Sequence, residues 1–173
     1  MMQLTKEDLL NRLHRLDKDA SLLYPEGDRM SVTIVGGGAL VLAGFTARAT
    51  LDIDIIAATK GLYQLFEKYD MNERVAAYMN SFPMNYEDRV VLLLEGNRID
   101  FYLVALEDIV IAKLCANRPP DQKDLETVAG RINWETLEKL ATDEDELGMI
   151  KMNDKDYFFF RENYNDYRRR FKP

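Results

Sequence analysis

Apolar residues recur at helical spacing near the start of the chain, at Leu9, Leu13, Leu16 and Ala20. Residues three or four apart share one face of an α-helix, so this pattern predicts an amphipathic helix over about 6–24. Thr5 precedes it, and Asp8 follows Thr5 at the spacing of a capping box, with Asp in place of the usual Glu or Gln.

Short β-rich runs come next. Segments 31–35, 51–56, 90–94 and 98–104 predict strands, and the turn residues 95–97 predict a hairpin between the last two. Three glycines follow the first strand and lead into an apolar helix-prone run at 39–43. Leu62, Leu65 and Tyr69 mark one further short helix, and Val75 with Met79 suggests another.

Helical spacing returns after residue 105, in segments 106–117, 121–130, 134–141 and 154–170. Pro119 and Pro120 separate the first two of these helices. The order of elements predicts an α/β (α+β) fold. A short mixed sheet flanked by helices would occupy residues 1–105, and a helical C-terminal region packed on that core would occupy 106–173.

Composition narrows the class of protein. The net charge of -7 argues against non-specific coating of nucleic acid, because phosphate binding relies on Lys and Arg. Cys115 is the only cysteine, which is typical of a reducing compartment. The longest apolar runs are far too short to cross a bilayer. We therefore expect a soluble, cytoplasmic protein with no membrane partner.

Asp52 and Asp54 are the first candidates for chemistry. Residues two apart in a strand leave the same face, so the two carboxylates repel each other while Ile53 and Ile55 point into the core. A bound cation relieves that repulsion, and an all-oxygen ligand set suits Mg²⁺ or Mn²⁺. The alternative is an edge strand with two solvated aspartates.

Gly36, Gly37 and Gly38 stand where a strand ends and a helix begins. Backbone N–H groups at such a place favour phosphate, although a tight turn with close helix–strand packing is the alternative. A phosphate-binding turn one strand upstream of a carboxylate pair is the combination expected for a nucleoside triphosphate with its metal.

Asp100 is a candidate third carboxylate. It shares a strand face with Arg98 and Tyr102, and it would complete a two-metal site if its strand paired beside that of Asp52 and Asp54. The alternative is a hairpin with an exposed polar face.

Two segments together resemble a known family. Residues 35–40 read Val-Gly-Gly-Gly-Ala-Leu, and residues 48–55 read Arg-Ala-Thr-Leu-Asp-Ile-Asp-Ile. They resemble the Gly-Gly-x-Ala-Leu … Arg-x-Thr-x-Asp-Ile-Asp signature of the polymerase β-like nucleotidyltransferase superfamily. Within it, the chain is most similar to small bacterial nucleotidyltransferases, including toxins of abortive-infection toxin–antitoxin systems. Segments 108–113 and 118–125 look like the later Lys and Lys-Asp-x-x-Asp motifs of these relatives.

The resemblance covers about residues 30–130 and implies a minimal nucleotidyltransferase fold. It implies Asp52 and Asp54 as catalytic metal ligands. Asp100 stays a further catalytic and metal-binding candidate on the strength of its strand face. The residues implied at the nucleotide are Gly36, Gly37, Gly38, Arg48, Thr50 and Lys113.

The resemblance also implies functional roles for Lys113 and Asp124. Lys113 would neutralise charge on the triphosphate, and Asp124 would orient the triphosphate or the acceptor. Without the resemblance, a surface ion pair on helices would be the preferred interpretation of both. Whether Asp100 or Asp124 is the third working carboxylate stays open.

The last predicted helix carries an aromatic stripe with basic residues beside it. The stripe consists of Tyr157, Phe160, Tyr164, Tyr167 and Phe171, and the basic residues include Arg168, Arg169 and Arg170. Docking of this helix on the domain is the favoured interpretation, and contact with an RNA end is the alternative.

The expected activity is metal-dependent transfer of a nucleoside monophosphate from an NTP to an acceptor hydroxyl, with pyrophosphate released. The acceptor stays open between RNA, such as a tRNA end, a protein and a small molecule. A toxin with an antitoxin protein as its partner is compatible with this activity. The alternative is a catalytically silent nucleotide- or protein-binding module with the same fold.

Overall fold

The computed structural model describes residues 4–47 and 52–173. It divides into two compact units. The sheet unit comprises Met1–Val75 and Val90–Val104, and the helical unit comprises Ala76–Arg89 and Ala105–Pro173. The chain passes from the sheet unit to the helical unit after Val104, and Ala76–Arg89 also belongs to the helical unit.

The sheet unit follows the predicted order of elements. Its helices are α1 (Lys6–Leu23), α2 (Gly36–Leu42) and the single turn α3 (Tyr63–Phe66). Its strands are β1 (Met30–Val35), β2 (Ile53–Ala58), β3 (Met71–Glu73), β4 (Val91–Glu95) and β5 (Ile99–Leu103). The Thr5–Asp8 capping box is present, with the Asp8 N–H donating to Thr5 Oγ1 at 3.2 Å.

The sheet is mixed, as predicted. Its strand order is β3-β2-β1-β5-β4, with β1 antiparallel to β2 and parallel to β5. The β4–β5 pair is the predicted hairpin, and β3 runs parallel to β2. β3 has only three residues, too few for a period-two pattern to reveal, and the sequence analysis missed it.

One face of the sheet forms the core of the sheet unit. Buried side chains alternate along the central strands, at Val32, Ile34, Ile53, Ile55, Ile99 and Phe101. The same strands contact α1 and α2. Thr33, Asp54 and Asp100 are among the residues at the other positions, where the apolar Val35 and Ile56 are also buried. This alternation is expected when helices cover one face of a sheet, and it leaves Asp54 on the opposite face from the core.

Asp17 of α1 fastens the helix to the β4–β5 turn. Its carboxylate is buried and accepts the backbone N–H groups of three consecutive residues, Asn97, Arg98 and Ile99, at 2.7 to 2.9 Å. A Cβ atom added at Gly96 would lie 2.6 Å from Asp17 Cγ. Only glycine at position 96 therefore allows the carboxylate to approach the turn so closely.

The helical unit contains α5 (Leu106–Ala116), α6 (Pro119–Val128), α7 (Trp134–Thr142) and α8 (Asp154–Phe171). The short α4 (Val75–Tyr78) precedes them, at the point where the chain passes from one unit to the other. Pro119 and Pro120 open α6, because the first turn of a helix tolerates proline. Among the residues that the structure describes, no helix is both long enough and apolar enough to cross a membrane.

The aromatic stripe of α8 docks inside the helical unit. Phe160, Tyr164 and Tyr167 are buried, and the Tyr167 hydroxyl donates to the Leu125 carbonyl at 2.6 Å. The neighbouring basic residues form ion pairs within the same unit, including Arg168 with Glu138 and Arg170 with Glu126. The docking interpretation is confirmed for the three buried rings.

Replacing Gly96 with Ala is expected to lower the free energy of unfolding by about 1–3 kcal/mol, because the new methyl group displaces a buried carboxylate from its donors. Chemical denaturation measures the loss. Gly130→Ala is the control, since an added Cβ there meets nothing within 4 Å. In an Asp17→Ala background the Gly96→Ala cost should largely disappear, and an unchanged cost in that background would show that Asp17 is not its cause.

Candidate functional site

Asp52 and Asp54 lie at one end of the sheet, beside the glycine turn. Asp54 is paired in register with Val35, the residue directly before Gly36. Its side chain is half-buried, whereas Asp52 stands just before β2 and is exposed. Ile53 and Ile55 are fully buried, as expected. The antiparallel pairing of β1 with β2 therefore brings the Asp-x-Asp segment to the end of β1, where the glycines begin.

The glycine turn leads directly into α2. Gly36 has a φ of +74°, a left-handed conformation that side-chain-bearing residues rarely adopt. The chain consequently turns from β1 straight into a helix that includes all three glycines, three residues earlier than predicted. Val35 occupies the N-cap position and makes no side-chain cap hydrogen bond. The first backbone N–H groups of α2 are therefore not capped by the side chain that normally satisfies them.

Arg74 supplies a positive charge at Asp54. Its Nε lies 3.4 Å from Asp54 Oδ1, and the two side chains are about half and a quarter exposed. Arg74 directly follows β3, and its backbone N–H donates to the Ile55 carbonyl at 2.8 Å. The sequence analysis did not single out Arg74, because only the pairing of the unpredicted β3 with β2 reveals its position.

The two aspartates are suitable ligands for a divalent cation. Both are carboxylates on one short segment, and hard oxygen donors of this kind suit Mg²⁺ or Mn²⁺. The guanidinium of Arg74 shows that the position beside Asp54 accommodates a cation. Among residues 4–47 and 52–173, no group of three or more His, Cys, Asp or Glu side chains is arranged to hold a metal ion. Water and phosphate oxygens would have to complete the coordination of a cation held by Asp52 and Asp54.

The premise for Asp100 as a third metal ligand is wrong. Its strand, β5, does not pair with β2, because β1 lies between them. Asp54 pairs with Val35 and Asp100 with Ser31, four residues away on β1. With about 3.3 Å per residue and about 4.8 Å between strands, the two backbones are roughly 16 Å apart. Carboxylates that share a two-metal site flank ions only about 4 Å apart.

Asp100 instead forms an ion pair with Arg29. Arg29 Nη2 lies 2.6 Å from Asp100 Oδ1, and Arg29 also donates to the Gly96 and Asn97 carbonyls. The hydrogen bonds from Arg29 lower the pKa of Asp100 below its usual 3.8. This arrangement joins the start of β1 to the hairpin, which explains Asp100 as a structural residue of the sheet unit.

Lys113 and Asp124 lie together in the helical unit and form a cluster with Asp121 of α6. Lys113 Nζ is 3.0 Å from Asp124 Oδ2 and 3.1 Å from Asp121 Oδ1. All three are buried, so the alternative interpretation of Lys113 and Asp124 as a surface ion pair is wrong in its placement. Asp121 and Asp124 are three residues apart on α6 and therefore share a face towards Lys113 of α5.

Asp121 was missed as a member of this cluster. It also accepts hydrogen bonds from Arg118, from Nε at 2.9 Å and from the backbone N–H at 3.1 Å. Burial raises the pKa of Asp121, but the hydrogen bonds from Arg118 and the charge of Lys113 outweigh burial and leave that pKa lowered. Its spacing from Asp124 and its place in the first turn of α6 were the available signals.

Arg48 and Thr50, which were expected at the nucleotide, lie outside the described residues. Of the other expected site residues, the structure brings Asp52 and Asp54 to the turn formed by Gly36, Gly37 and Gly38. It separately brings Lys113 to Asp124.

A family model described as nucleotidyltransferase of unknown function (DUF6036) matches residues 11–172, nearly the whole chain. No curated protein and no solved structure matches the chain. The family match extends beyond the 30–130 segment that carries the sequence resemblance and includes α5 to α8.

Replacing Lys113 with Met is expected to lower the free energy of unfolding by about 3–5 kcal/mol, because it leaves two buried carboxylates without their shared cation. Denaturant unfolding at pH 7 measures the loss. Lys123→Met is the control, because Lys123 is exposed on α6, the helix that carries Asp121 and Asp124. This variant should change stability by less than about 0.5 kcal/mol. Equal effects of the two variants would show that the cluster contributes no stability.

The pair of Asp100 and Arg29 is expected to make stability depend on pH. The folded-state pKa of Asp100 lies below 3.8, so its contribution is complete well above pH 3.8 and is lost as the pH falls through the folded value. Asp100→Asn should therefore cost about 1 kcal/mol at pH 7 and progressively less in acid. Denaturant unfolding of the wild type and the variant at neutral and acidic pH measures this difference, and an equal cost at both would contradict the pairing of Asp100 with Arg29.

Proposed function

Because the chain belongs to the family of nucleotidyltransferases described as DUF6036, we propose that it transfers a nucleoside monophosphate from an NTP to an acceptor hydroxyl. One observation carries the proposal. The β1–β2 register places Asp54 beside Val35, so a carboxylate pair and a glycine turn meet at one end of the sheet. A triphosphate with its metal requires both anionic ligands for the ion and donors for the phosphates.

In this proposal, Asp52 and Asp54 hold Mg²⁺ or Mn²⁺. When bound, the ion would neutralise part of the phosphate charge and act as a Lewis acid at the reacting oxygens. The N–H groups at Gly36 and Gly37 donate to phosphate oxygens, since the N-cap residue Val35 has no side-chain acceptor for them. The contribution of the protein is mainly positioning of the donor against the acceptor, with pyrophosphate as the leaving group.

Lys113 and Asp124 belong to the helical unit, and their implied roles rest on the sequence resemblance alone. Their burial in one ion cluster supports fixed positions for both charges. Active sites contain such clusters, and so do ion networks that serve stability alone. Asp100 is left out of the proposed metal site, because β1 separates its strand from that of Asp54.

A nucleotide- or protein-binding module without catalysis is the second candidate. The Asp-x-Asp segment favours the enzyme, since it places two oxygen ligands for a divalent cation beside the glycine turn. We propose an RNA such as tRNA, or a protein, as the acceptor. A toxin role with an antitoxin partner is the biological extension of this proposal, and it requires the same chemistry.

The proposal is tested by incubating the protein with each α-³²P-labelled NTP, Mg²⁺ or Mn²⁺, and total tRNA or cell lysate. We expect label on one acceptor class from at least one NTP. The paired variant Asp52→Asn/Asp54→Asn should reduce labelling by at least about 100-fold, since losing a metal removes several kcal/mol of charge stabilisation.

The matched control is Glu26→Gln/Asp28→Asn, which removes two exposed carboxylates at the same spacing in the same unit. It should label at the wild-type rate. NTP binding without transfer to any acceptor would favour the binding module. Labelling that survives in the Asp52/Asp54 variant would contradict the assignment of these residues.

A further inference from the structure

A surface pocket lies along the outer edge of β3, next to the strand that carries Asp54. Its volume is about 320 Å³, at the lower end of the range for small-ligand sites. The residues that line it include Tyr63, Phe66 and Glu67 from the segment before β3 and Asn72, Glu73 and Arg74 from β3 and its end. All of them belong to the sheet unit.

The pocket begins one strand away from Asp54. Asn72 pairs in register with Asp54 across the parallel β2–β3 ladder, so their Cα atoms are roughly 5 Å apart. Arg74 lines the pocket and also places its Nε 3.4 Å from Asp54 Oδ1. One side chain therefore joins the pocket to the proposed metal site.

Aromatic and polar groups occur together in the pocket. Tyr63 is 37% exposed as a residue, and its ring packs edge-on against the ring of the buried Phe66, with centroids 5.3 Å apart. An exposed, supported ring is a stacking surface for a flat base. The Asn72 amide adds both a donor and an acceptor.

The pocket carries charges of both signs. Glu67 and Glu73 are both exposed carboxylates, and they would repel phosphates. Carboxylates instead accept hydrogen bonds from ribose hydroxyls. Arg74 carries the opposite charge and stands at the end nearest Asp54. A nucleotide would therefore place its sugar and base in the pocket and its phosphates towards Arg74, Asp54 and the glycine turn.

We propose that this pocket binds the nucleoside half of the NTP donor, with Tyr63 against the base, a ribose hydroxyl on Glu67 or Glu73, and Arg74 moving from Asp54 to the phosphates. The inference rests on the proposed function and adds a specificity site to it. Arg74 acts as the counter-ion of Asp54 until the nucleotide and its metal arrive.

The test compares NTPs with inorganic tripolyphosphate, a probe that lacks the nucleoside. Calorimetry with Mg²⁺ measures binding of each of the four NTPs and of inorganic tripolyphosphate to the full-length protein. Tyr63→Leu should weaken binding of the preferred NTP by about fivefold or more, the low end of base–aromatic stacking. It should leave tripolyphosphate binding within about twofold, since the phosphates bind elsewhere. Phe158→Leu, at an exposed aromatic position on α8, is the control and should change neither.

A second variant tests the sugar contact. Glu67→Gln/Glu73→Gln should reduce the preference for an NTP over the matching dNTP, because a neutral amide accepts a hydroxyl hydrogen bond more weakly than a carboxylate does. Gln at position 73 retains an acceptor for the Val75 N–H, which Glu73 now accepts. Thermal melting checks that each variant is folded.

The outcomes separate this inference from the proposed function. NTP and tripolyphosphate binding that both need Asp52 and Asp54 but ignore Tyr63 would keep the function and overturn the subsite. Equal losses for both probes in Tyr63→Leu would also overturn the subsite. Absence of NTP and tripolyphosphate binding in the wild type would overturn the proposed function and this subsite with it.

Discussion

The antiparallel pairing of β1 with β2 is the constraint on which the site depends. Because β2 runs back along β1, its first residues meet the last residues of β1, where Gly36 turns the chain into α2. The alternation of β2 then buries Ile53 and Ile55 and turns Asp54 to the other face. A shift of one residue in this register would bury the carboxylate in an apolar core, so the packing of the isoleucines also specifies the position of Asp54.

The sequence predicted most of the elements and the nearness of Asp52 and Asp54 to the glycine turn, because those features are local. Helical and strand periods located α1, β1, β2, the β4–β5 hairpin and the C-terminal helices to within a few residues. Asp52 and Asp54 lie near the glycine turn because they stand at the start of β2, the strand that follows β1 and the turn along the chain. β3 was not predicted, because a strand of three residues is too short to show a period-two pattern. The position of Arg74, which follows β3, could therefore not be predicted either.

Asp100 shows where sequence reasoning fails. Its strand face was predicted correctly, since Asp100 and Tyr102 are half-buried while Ile99 and Phe101 are in the core. Its neighbours depend on which strand lies beside β5, and that is a long-range property that no local pattern encodes. The partner that the structure supplies is Arg29, 71 residues away in sequence. The alternative interpretation of Lys113 and Asp124 as an ion pair names the correct partners, because α5 and α6 are consecutive helices, but both residues are buried.

The central claim is that Asp52 and Asp54 hold a divalent cation together with an NTP. Titration of Mn²⁺ followed by electron paramagnetic resonance tests it directly, since the signal of free Mn²⁺ falls as the ion is bound. In the presence of an NTP, the wild-type protein should remove more free Mn²⁺ than the NTP alone does, and Asp52→Asn/Asp54→Asn should not. Equal depletion of free Mn²⁺ by the two proteins would contradict the account.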